Sequence, residues 1–333
     1  MRLVETEREI TEPIDLCLPD GRVDPDAVGW SRRPLHRANL RGWGRRKRWE
    51  YWGIVAPTHI VGLTVSALDY AGVQSVFVLD RASGEEIVRD AVVPLARGVV
   101  LPSRSGIERA HVAAGGLRID LEETAEGTRL RAVTDEVDVD VVALRPAGRE
   151  CLAVVVPWSD RWFQYTVKDV GRPAVGRVTV RGAAYDVDPG EAFAVLDHGR
   201  GRWPYSVTWN WGAGHGQVDG RAVSLQLGGK WTDGTGSTEN ALLVDGIVHK
   251  ISEELAWEYD RAAWTSPWRI QGETVDVVFH PFHERAARTN LLVVASETHQ
   301  CFGHYEGWVL GAGGERVTVD GIVGWAEEAR NRW

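Results

Sequence analysis

Residues 176–182 read Gly-Arg-Val-Thr-Val-Arg-Gly, and residues 315–321 read Glu-Arg-Val-Thr-Val-Asp-Gly. In both segments apolar and polar side chains alternate, which is the period of a β-strand with one buried face. An aromatic strand precedes each segment, and an acidic segment with a Trp follows each one. A second echo links residues 48–52 with residues 202–209. Because the two echoes occur in the same order, the sequence predicts an internal duplication.

The same alternation recurs at 118–122 and 136–141, whereas helical periodicity is scarce. Turn dipeptides such as Asp219-Gly220 and Asp245-Gly246 separate the alternating segments. Strands joined by such turns form antiparallel hairpins. We therefore predict an all-β protein of two tandem antiparallel β-barrel or sandwich domains related by duplication, with few short helices. The best candidate for a short helix is the tail at 325–333.

The chain of 333 residues is long enough for one large domain or two ordinary ones. The duplication predicts an N-terminal extension at 1–48, a first β domain at 49–195 and a second β domain at 196–333. Ten of the 16 Trp residues lie from Trp203 onward, so the second domain is expected to be rich in Trp.

The net charge of −9 argues against a dedicated nucleic-acid-binding protein, so we expect no nucleic-acid partner. One basic stretch, from Arg32 to Arg48, contains no acidic residue. It is either a patch that binds anions or nucleic acid, or a segment that is solvated or clamped onto the acidic body. A single segment is not the long basic track that a single-stranded nucleic acid needs.

The sequence also bears on compartment and cofactors. We find neither a secretory signal nor an apolar stretch near the roughly 18 residues of a membrane span. Three distant cysteines indicate a reducing, cytoplasmic setting. The glycines at 228–240 lack the spacing of a phosphate-binding loop, and period two sends His280 and His283 to opposite faces unless a bulge at Pro281 turns them. We therefore expect no cofactor and no metal.

A run of aromatic residues at 203–211 is the strongest candidate for a binding surface. If this run is one strand, a single face carries three indoles and a phenol, which is typical of a ligand cavity. An aromatic core between two sheets is the alternative explanation. The residues on this run that we expect to bind substrate are Trp203, Tyr205, Trp209, Asn210 and Trp211.

Candidate acids lie beside the aromatic run. Burial near indoles should raise the pKa of Asp197 and let it act as a general acid, with His198 orienting it or shuttling its proton. The simpler alternative is that Asp197 accepts hydrogen bonds from nearby arginines. Glu239 and Asn240 precede a strand, where polar side chains can reach the mouth of a barrel. We name Asp197, His198 and Glu239 as catalytic candidates.

Several motifs resemble the bacterial domain-of-unknown-function family 2804. They are Leu196–Tyr205, Trp209–Gly212, Gly228–Thr232, Thr238–Ala241, Phe279–Arg285 and His299–Gly303. The resemblance implies an architecture like that of AttH and carotenoid 1,2-hydratase, which have two lipocalin-like domains in tandem. It also implies apolar polyene or terpenoid substrates and no redox cofactor, but it names no catalytic residue.

These observations favour a cofactor-free enzyme that hydrates, isomerises or cyclises a small hydrophobic unsaturated molecule by proton transfer. Indole faces would stabilise the cation that forms. A carrier of a lipid or pigment and a protein acting on glycans remain open as alternatives. The further residues expected to line the pocket are Lys230, Asn240, Tyr305, Trp325 and Glu327.

Overall fold

The structure is a computed structural model that describes residues 7–291 and 294–332. Within this part of the chain it contains 25 strands and a single short 3-10 helix, Pro25–Ala27. The predicted all-β class is therefore confirmed. None of the helices described is long and apolar enough to cross a membrane.

The strands are numbered in chain order. The first fifteen are β1 (Ile14–Asp15), β2 (Trp30–Ser31), β3 (His36–Arg37), β4 (Arg46–Val55), β5 (His59–Ala67), β6 (Ala71–Asp80), β7 (Glu86–Pro94), β8 (Ala110–Ala114), β9 (Leu117–Glu123), β10 (Gly127–Val133), β11 (Val137–Leu144), β12 (Leu152–Pro157), β13 (Phe163–Val180), β14 (Ala183–Val187) and β15 (Phe193–Arg202). The remaining ones are β16 (Ser206–Val218), β17 (Arg221–Gly229), β18 (Asn240–Val244), β19 (Ile247–Ile251), β20 (Ala256–Glu258), β21 (Trp268–Gln271), β22 (Val275–Leu291), β23 (Val294–Leu310), β24 (Arg316–Thr318) and β25 (Val323–Arg332).

Two large curled sheets repeat the same strand order, which confirms two tandem lipocalin-like domains. The first runs β7-β6-β5-β4-β15-β13-β11-β10-β9-β8, and the second runs β19-β18-β17-β16-β25-β23-β22-β21-β20. The last long strand of each sheet pairs with the first long strand: β15 with β4 in the first sheet, and β25 with β16 in the second. The echoed words do not occupy equivalent strands, since residues 176–182 end β13 whereas residues 315–321 contain β24. By its pairing, β24 corresponds to β14.

The chain passes from the first sheet to the second between Arg202 and Ser206, because β15 pairs with β13 and β4. The expected division at 195/196 therefore falls inside a strand of the first sheet. As independently folding units, the ranges 1–48, 49–195 and 196–333 stay a prediction.

The predicted helix at 325–333 is wrong, because residues 325–332 belong to β25, and residue 333 lies outside the described residues. This strand lies between β16 and β23, and its residues 324–329 are all buried. A strand covered on both faces loses the apolar–polar alternation by which strands are recognised. The hairpin turns were predicted correctly: Asp219-Gly220 and Asp245-Gly246 both have positive φ at their two residues, as a tight two-residue turn requires.

A layer of side chains, which we call the seam, fills the space between the two sheets. Alternate residues of the central strands face either the seam or the interior of their own barrel. On β15, Phe193 and Val195 face the seam, whereas Ala194 and Leu196 join the core of the first barrel. Other seam residues are Val55, Phe77, Trp211, Ala213, Phe302 and Trp325.

The basic stretch from Arg32 to Arg48 contacts acidic groups of the same chain, as the clamp interpretation expects. Arg32 lies 2.8 Å from Glu150, and Arg46 lies 2.8 Å from Asp69. Nearby, β2 pairs with β12 and so adds the extension to the first sheet.

A bulge in β13 at Gly171 brings the two sheets into close contact. Gly171 has a φ of +84°, and a Cβ placed there would lie 2.4 Å from Ser224 Oγ and 2.5 Å from His215 Nδ1 of the second sheet. His215 Nδ1 and Ser224 Oγ are themselves joined by a hydrogen bond of 2.9 Å. The bulge therefore fixes how closely the sheets approach.

We expect Gly171→Ala to destabilise the protein far more than Gly182→Ala. Gly182 has a similar φ of +86° but nothing within 4 Å of its hypothetical Cβ. The control should cost about 1–2 kcal/mol of unfolding free energy for the left-handed backbone, and overpacking at Gly171 should add roughly 1–3 kcal/mol. Chemical denaturation measures both variants. Equal losses would show that the sheets do not meet at Gly171.

Candidate functional site

The seam contains four charged side chains that are almost completely removed from solvent. We call them the acid cluster: Lys168 on β13, Asp197 on β15, Glu239 just before β18 and Glu327 on β25. They come from both sheets, and each has at most 9% of its surface exposed. Three carboxyl groups thus share one ammonium group.

Lys168 is the centre of the cluster. Its Nζ lies 3.1 Å from Asp197 Oδ2 and 3.5 Å from Glu239 Oε2. It also lies 3.9 Å from the centre of the Trp211 ring, which is a cation–π contact. Burial alone would lower the pKa of this ammonium group, but the charges of Asp197 and Glu239 outweigh burial and raise the pKa.

Each carboxyl group accepts a hydrogen bond from a different indole. Burial of a carboxyl group requires such partners, and an indole N–H can only donate. Asp197 accepts a further bond of 3.0 Å from Thr166. The three indole bonds are Trp49 Nε1 to Asp197 Oδ2 at 3.0 Å, Trp231 Nε1 to Glu239 Oε1 at 2.6 Å and Trp209 Nε1 to Glu327 Oε1 at 3.0 Å.

The pKa values of the two glutamates of the cluster are raised toward neutral pH. Burial raises the pKa of Glu239 to about 7, because Lys168 only partly offsets desolvation and the charge of Asp197 opposes ionisation. Burial likewise raises the pKa of Glu327 to about 7, against the hydrogen bond from Trp209. Near pH 7 the cluster therefore contains an ion pair, Lys168 with Asp197, flanked by two carboxyl groups that can each give or take a proton.

Asp197 has the surroundings of a carboxylate anion, not of the neutral acid that we expected. Lys168 forms the ion pair with it, and Trp49 and Thr166 donate to its two oxygens. The environment of a buried general acid belongs instead to Glu239 and Glu327. Of these, the sequence analysis named Glu239 as catalytic and Glu327 as a pocket residue.

Gly199 allows Trp49 to reach Asp197. A Cβ on Gly199 would lie 2.1 Å from the Trp49 ring, so the indole rests directly on the backbone of β15. Trp49 lies opposite Gly199 on the paired strand β4. The close approach of the Trp49 indole therefore explains why position 199 is a glycine.

The structure brings together five of the predicted site residues and separates others. Asp197, Glu239, Glu327, Trp209 and Trp211 meet at the acid cluster. Because β16 begins only at Ser206, the prediction that one strand face carries the whole run 203–211 is wrong.

The start of the aromatic run lies outside the strand. Trp203 packs edge-on against Trp209 at 5.7 Å, and its indole donates to Gln164 at 2.6 Å. Tyr205 is 43% exposed and lies beside Arg45, away from the cluster.

Neighbouring residues on a strand face opposite sides, and this separates His198 from Asp197. His198 faces the first barrel, where its Nδ1 lies 2.6 Å from Glu50 Oε1. The structure therefore does not place His198 within reach of the cluster. Asn210 faces the second barrel and donates to the Tyr259 hydroxyl at 3.0 Å.

The remaining predicted residues have other partners. Lys230 forms an ion pair with Glu328 in the second barrel. Asn240 accepts from the amide of Gly228 at 2.6 Å, and Tyr305 donates to the carbonyl of Trp325 at 2.6 Å. Trp325 lies in the seam, edge-on to Trp211 at 5.1 Å.

Sequence reasoning missed Lys168, Trp49, Trp231 and Gln300, whose side chain donates to Glu327 Oε2 at 3.1 Å. Lys168 carried a weak signal, because the chain has only four lysines. Its burial in β13 is known only from the fold. The other three residues come from distant segments, and only the fold brings them to the cluster.

The histidines considered for a metal have carboxylate partners instead. His280 lies 3.1 Å from Glu306, and a bulge after Pro281 does interrupt the strand. His283 lies 2.6 Å from Glu86 of the first sheet. Across residues 7–291 and 294–332, no three His, Cys, Asp or Glu side chains are grouped so that they could hold a metal ion.

The raised pKa values predict how stability depends on pH. A glutamate that titrates near 7 in the folded protein retains a proton that the unfolded chain releases near pH 4.5. Its contribution to stability is complete below pH 4.5 and is lost as the pH rises through 7. Relative to Glu327→Gln, the wild type should therefore lose on the order of 3 kcal/mol across this window.

Urea unfolding at a series of pH values measures this difference. The exposed residue Glu122 supplies the control, because Glu122→Gln removes a carboxylate without touching the cluster. We expect Glu122→Gln to follow the wild-type profile. A constant difference between wild type and Glu327→Gln across the window would contradict the assigned protonation state.

Comparisons with known proteins agree with this architecture. The structure is similar to that of a candidate AttH protein from Nitrosomonas europaea, with 12% identity, a TM-score of 0.52, and coverage of 86% of this chain and 92% of that one. It is also similar to kievitone hydratase from Nectria haematococca, with 10% identity, a TM-score of 0.48, and coverage of 87% and 89%.

Likeness at 12% identity is evidence of the fold alone. No functionally curated protein matches the sequence. A family model described as a domain of unknown function, DUF2804, matches residues 7–333. The chain therefore belongs to the DUF2804 family.

Proposed function

We propose that this protein is a cofactor-free acid–base enzyme that hydrates, isomerises or cyclises a small hydrophobic unsaturated molecule. The observation that carries the proposal is the pair of buried glutamates, Glu239 and Glu327, each with a pKa near 7 beside the Lys168–Asp197 ion pair. A general acid works best when its pKa is near the working pH, because it then holds a proton and still releases it readily.

The reaction begins with proton transfer to a carbon–carbon double bond. The π electrons form the new C–H bond with the proton of a glutamic acid, which leaves a carboxylate on the enzyme and a carbocation on the substrate. The indole faces of Trp209 and Trp211 and the carboxylate of Asp197 stabilise this cation. The cation then loses a neighbouring proton, or captures water and releases one of its protons. In a cyclisation it first captures a second double bond, which forms a cyclic cation that ends in one of these two ways. In each case the released proton returns to the glutamate carboxylate.

A cleft of about 670 Å³ lies at one end of the seam, and its lining combines apolar residues with charged ones such as Arg149 and Asp245. A cavity of this volume suits a small organic ligand. Phe193, His215 and Val323 line it, on the strands that also carry Asp197, Trp211 and Glu327. Four residues along a strand correspond to about 13 Å, so the cleft and the cluster lie two side-chain levels apart in the seam.

A layer one residue thick separates the cleft from the acid cluster. It is formed by Val195, Ala213 and Trp325, all of which are fully buried. The Trp325 indole N–H has no hydrogen-bond partner among the described residues. In our proposal this indole moves when the apolar end of the substrate occupies the cleft and its double bond reaches Glu327.

The cleft also favours a second candidate function, the binding of an apolar molecule without chemistry. Such a carrier would need the cleft but not the proton-carrying glutamates. For either function we propose a reducing compartment such as the cytoplasm, in line with the free and buried thiols of Cys17, Cys151 and Cys301. We propose no nucleic-acid partner.

Isotope exchange separates the two candidates. The apolar compound that purifies with the protein is identified by mass spectrometry and is then incubated with the protein in D₂O. An acid–base enzyme incorporates deuterium or forms a product, and Glu327→Gln or Glu239→Gln should slow this by about 100-fold or more. Glu122→Gln, on the surface, should keep the full rate. Recovery of the compound unchanged and unlabelled from the wild type would overturn the enzyme proposal in favour of the carrier.

A further inference from the structure

A second polar pocket lies at one end of the second barrel, on the other face of β25 from the acid cluster. Glu327 faces the seam, and the next residue, Glu328, faces this pocket. The pocket has a volume of about 190 Å³ and lies outside the proposed catalytic machinery. Its lining residues are Arg261, Trp264, Arg288, Glu297, His299, Glu328 and Arg330.

Three cationic side chains surround the single negative charge of Glu328. Arg261 lies 2.8 Å from its Oε2 and Arg330 lies 2.6 Å from its Oε1, while Lys230 forms a third ion pair with it. Although burial opposes ionisation, these cations lower the pKa of Glu328 to about 2. One carboxylate therefore orders three cationic side chains around the pocket and neutralises only one of them.

The opposite wall pairs an arginine and a histidine with two carboxylates. Arg288 lies 2.8 Å from Glu297, and His299 lies 2.7 Å from Glu284 and 3.1 Å from Glu297. Trp264 stacks on the His299 ring at 4.0 Å and fixes its orientation. Around the pocket, three arginines therefore face two carboxylates, Glu297 and Glu328.

The three arginines retain unused donors. Arg261 and Arg330 bind Glu328 through Nε and Nη2, and Arg288 uses Nη2 for Glu297. In the part of the chain that the structure describes, the Nη1 atoms of all three have no hydrogen-bond partner. Each arginine is between 42% and 68% exposed, so a ligand from solvent can reach it.

We propose that this pocket binds a small oxyanion with several oxygens, of the phosphate or polycarboxylate class. Guanidinium groups bind such oxygens in pairs, and three of them converge on one small cavity. Glu328 and Glu297 serve to hold the arginines in place. The loop between β20 and β21, which carries Arg261 and Trp264, closes one side of the site.

Calorimetric titration with inorganic phosphate and, separately, with citrate tests the proposal at constant ionic strength set by sodium chloride. We expect saturable binding of at least one probe with a dissociation constant of about 1 mM or below. Arg288→Gln should weaken binding by roughly tenfold or more, because it removes a charge-assisted pair. This variant leaves the Glu328 ion pairs intact.

Arg269→Gln is the matched control, since Arg269 is also 50% exposed and ion-paired, on β21 outside the pocket. It should bind the probes as the wild type does. A preference for phosphate or for citrate identifies the source of the oxyanion. The proposal is overturned if neither probe saturates, or if Arg288→Gln and Arg261→Gln both bind with wild-type affinity.

Discussion

The centre of this molecule depends on the interaction of the buried Lys168 ammonium group with the carboxyl groups around it. Three carboxyl groups from both sheets are buried around it, and charges of one sign cannot be buried together without compensation. Lys168 Nζ lies 3.1 Å from Asp197 Oδ2, and the two residues are opposite each other on paired strands of the first sheet. Glu239 and Glu327 come from the second sheet. Packing of the two sheets therefore creates the polar site, and the polar site in turn joins the sheets.

The arrangement also explains why the chain contains so many tryptophans. An indole covers a large apolar area and still has one N–H to donate. At the seam, three indoles each satisfy one carboxyl group and exclude water from it. The sequence analysis left open whether the aromatic run lines a pocket or forms a core between sheets. The structure places Trp209 and Trp211 in a core between the sheets, where the acids also meet. That a ligand reaches this region stays a proposal.

Much of the fold could be predicted from local signals. Alternation identified strands such as β11, and Asp-Gly pairs identified hairpin turns, because both reflect the geometry of a few neighbouring residues. The order of the sheets depends instead on long-range pairing, as when β15 returns to β4. Strand β25 was mistaken for a helix because burial on both faces removes its period. The prediction of two similar domains is confirmed, but the echoed segments at 176–182 and 315–321 lie on non-equivalent strands and are not the repeated unit.

The site was predictable only in part. Asp197, Glu239 and Glu327 were named from their positions beside aromatic segments, and they do meet. Their roles could not be assigned, because the pKa of each depends on which donors and charges the other sheet brings to it. Lys168 and Trp49 are distant from Asp197 in sequence, yet the fold brings both into contact with its carboxyl group.

A carbon-13 NMR titration of the glutamate side-chain carboxyl groups tests the central claim most directly. Assignment rests on the loss of one resonance in Glu239→Gln and of another in Glu327→Gln. The account predicts that both resonances titrate with midpoints near 7 in the wild type. Midpoints for both groups at the usual glutamate value near 4.5 would contradict it, because the cluster would then contain three carboxylates and no acid at neutral pH.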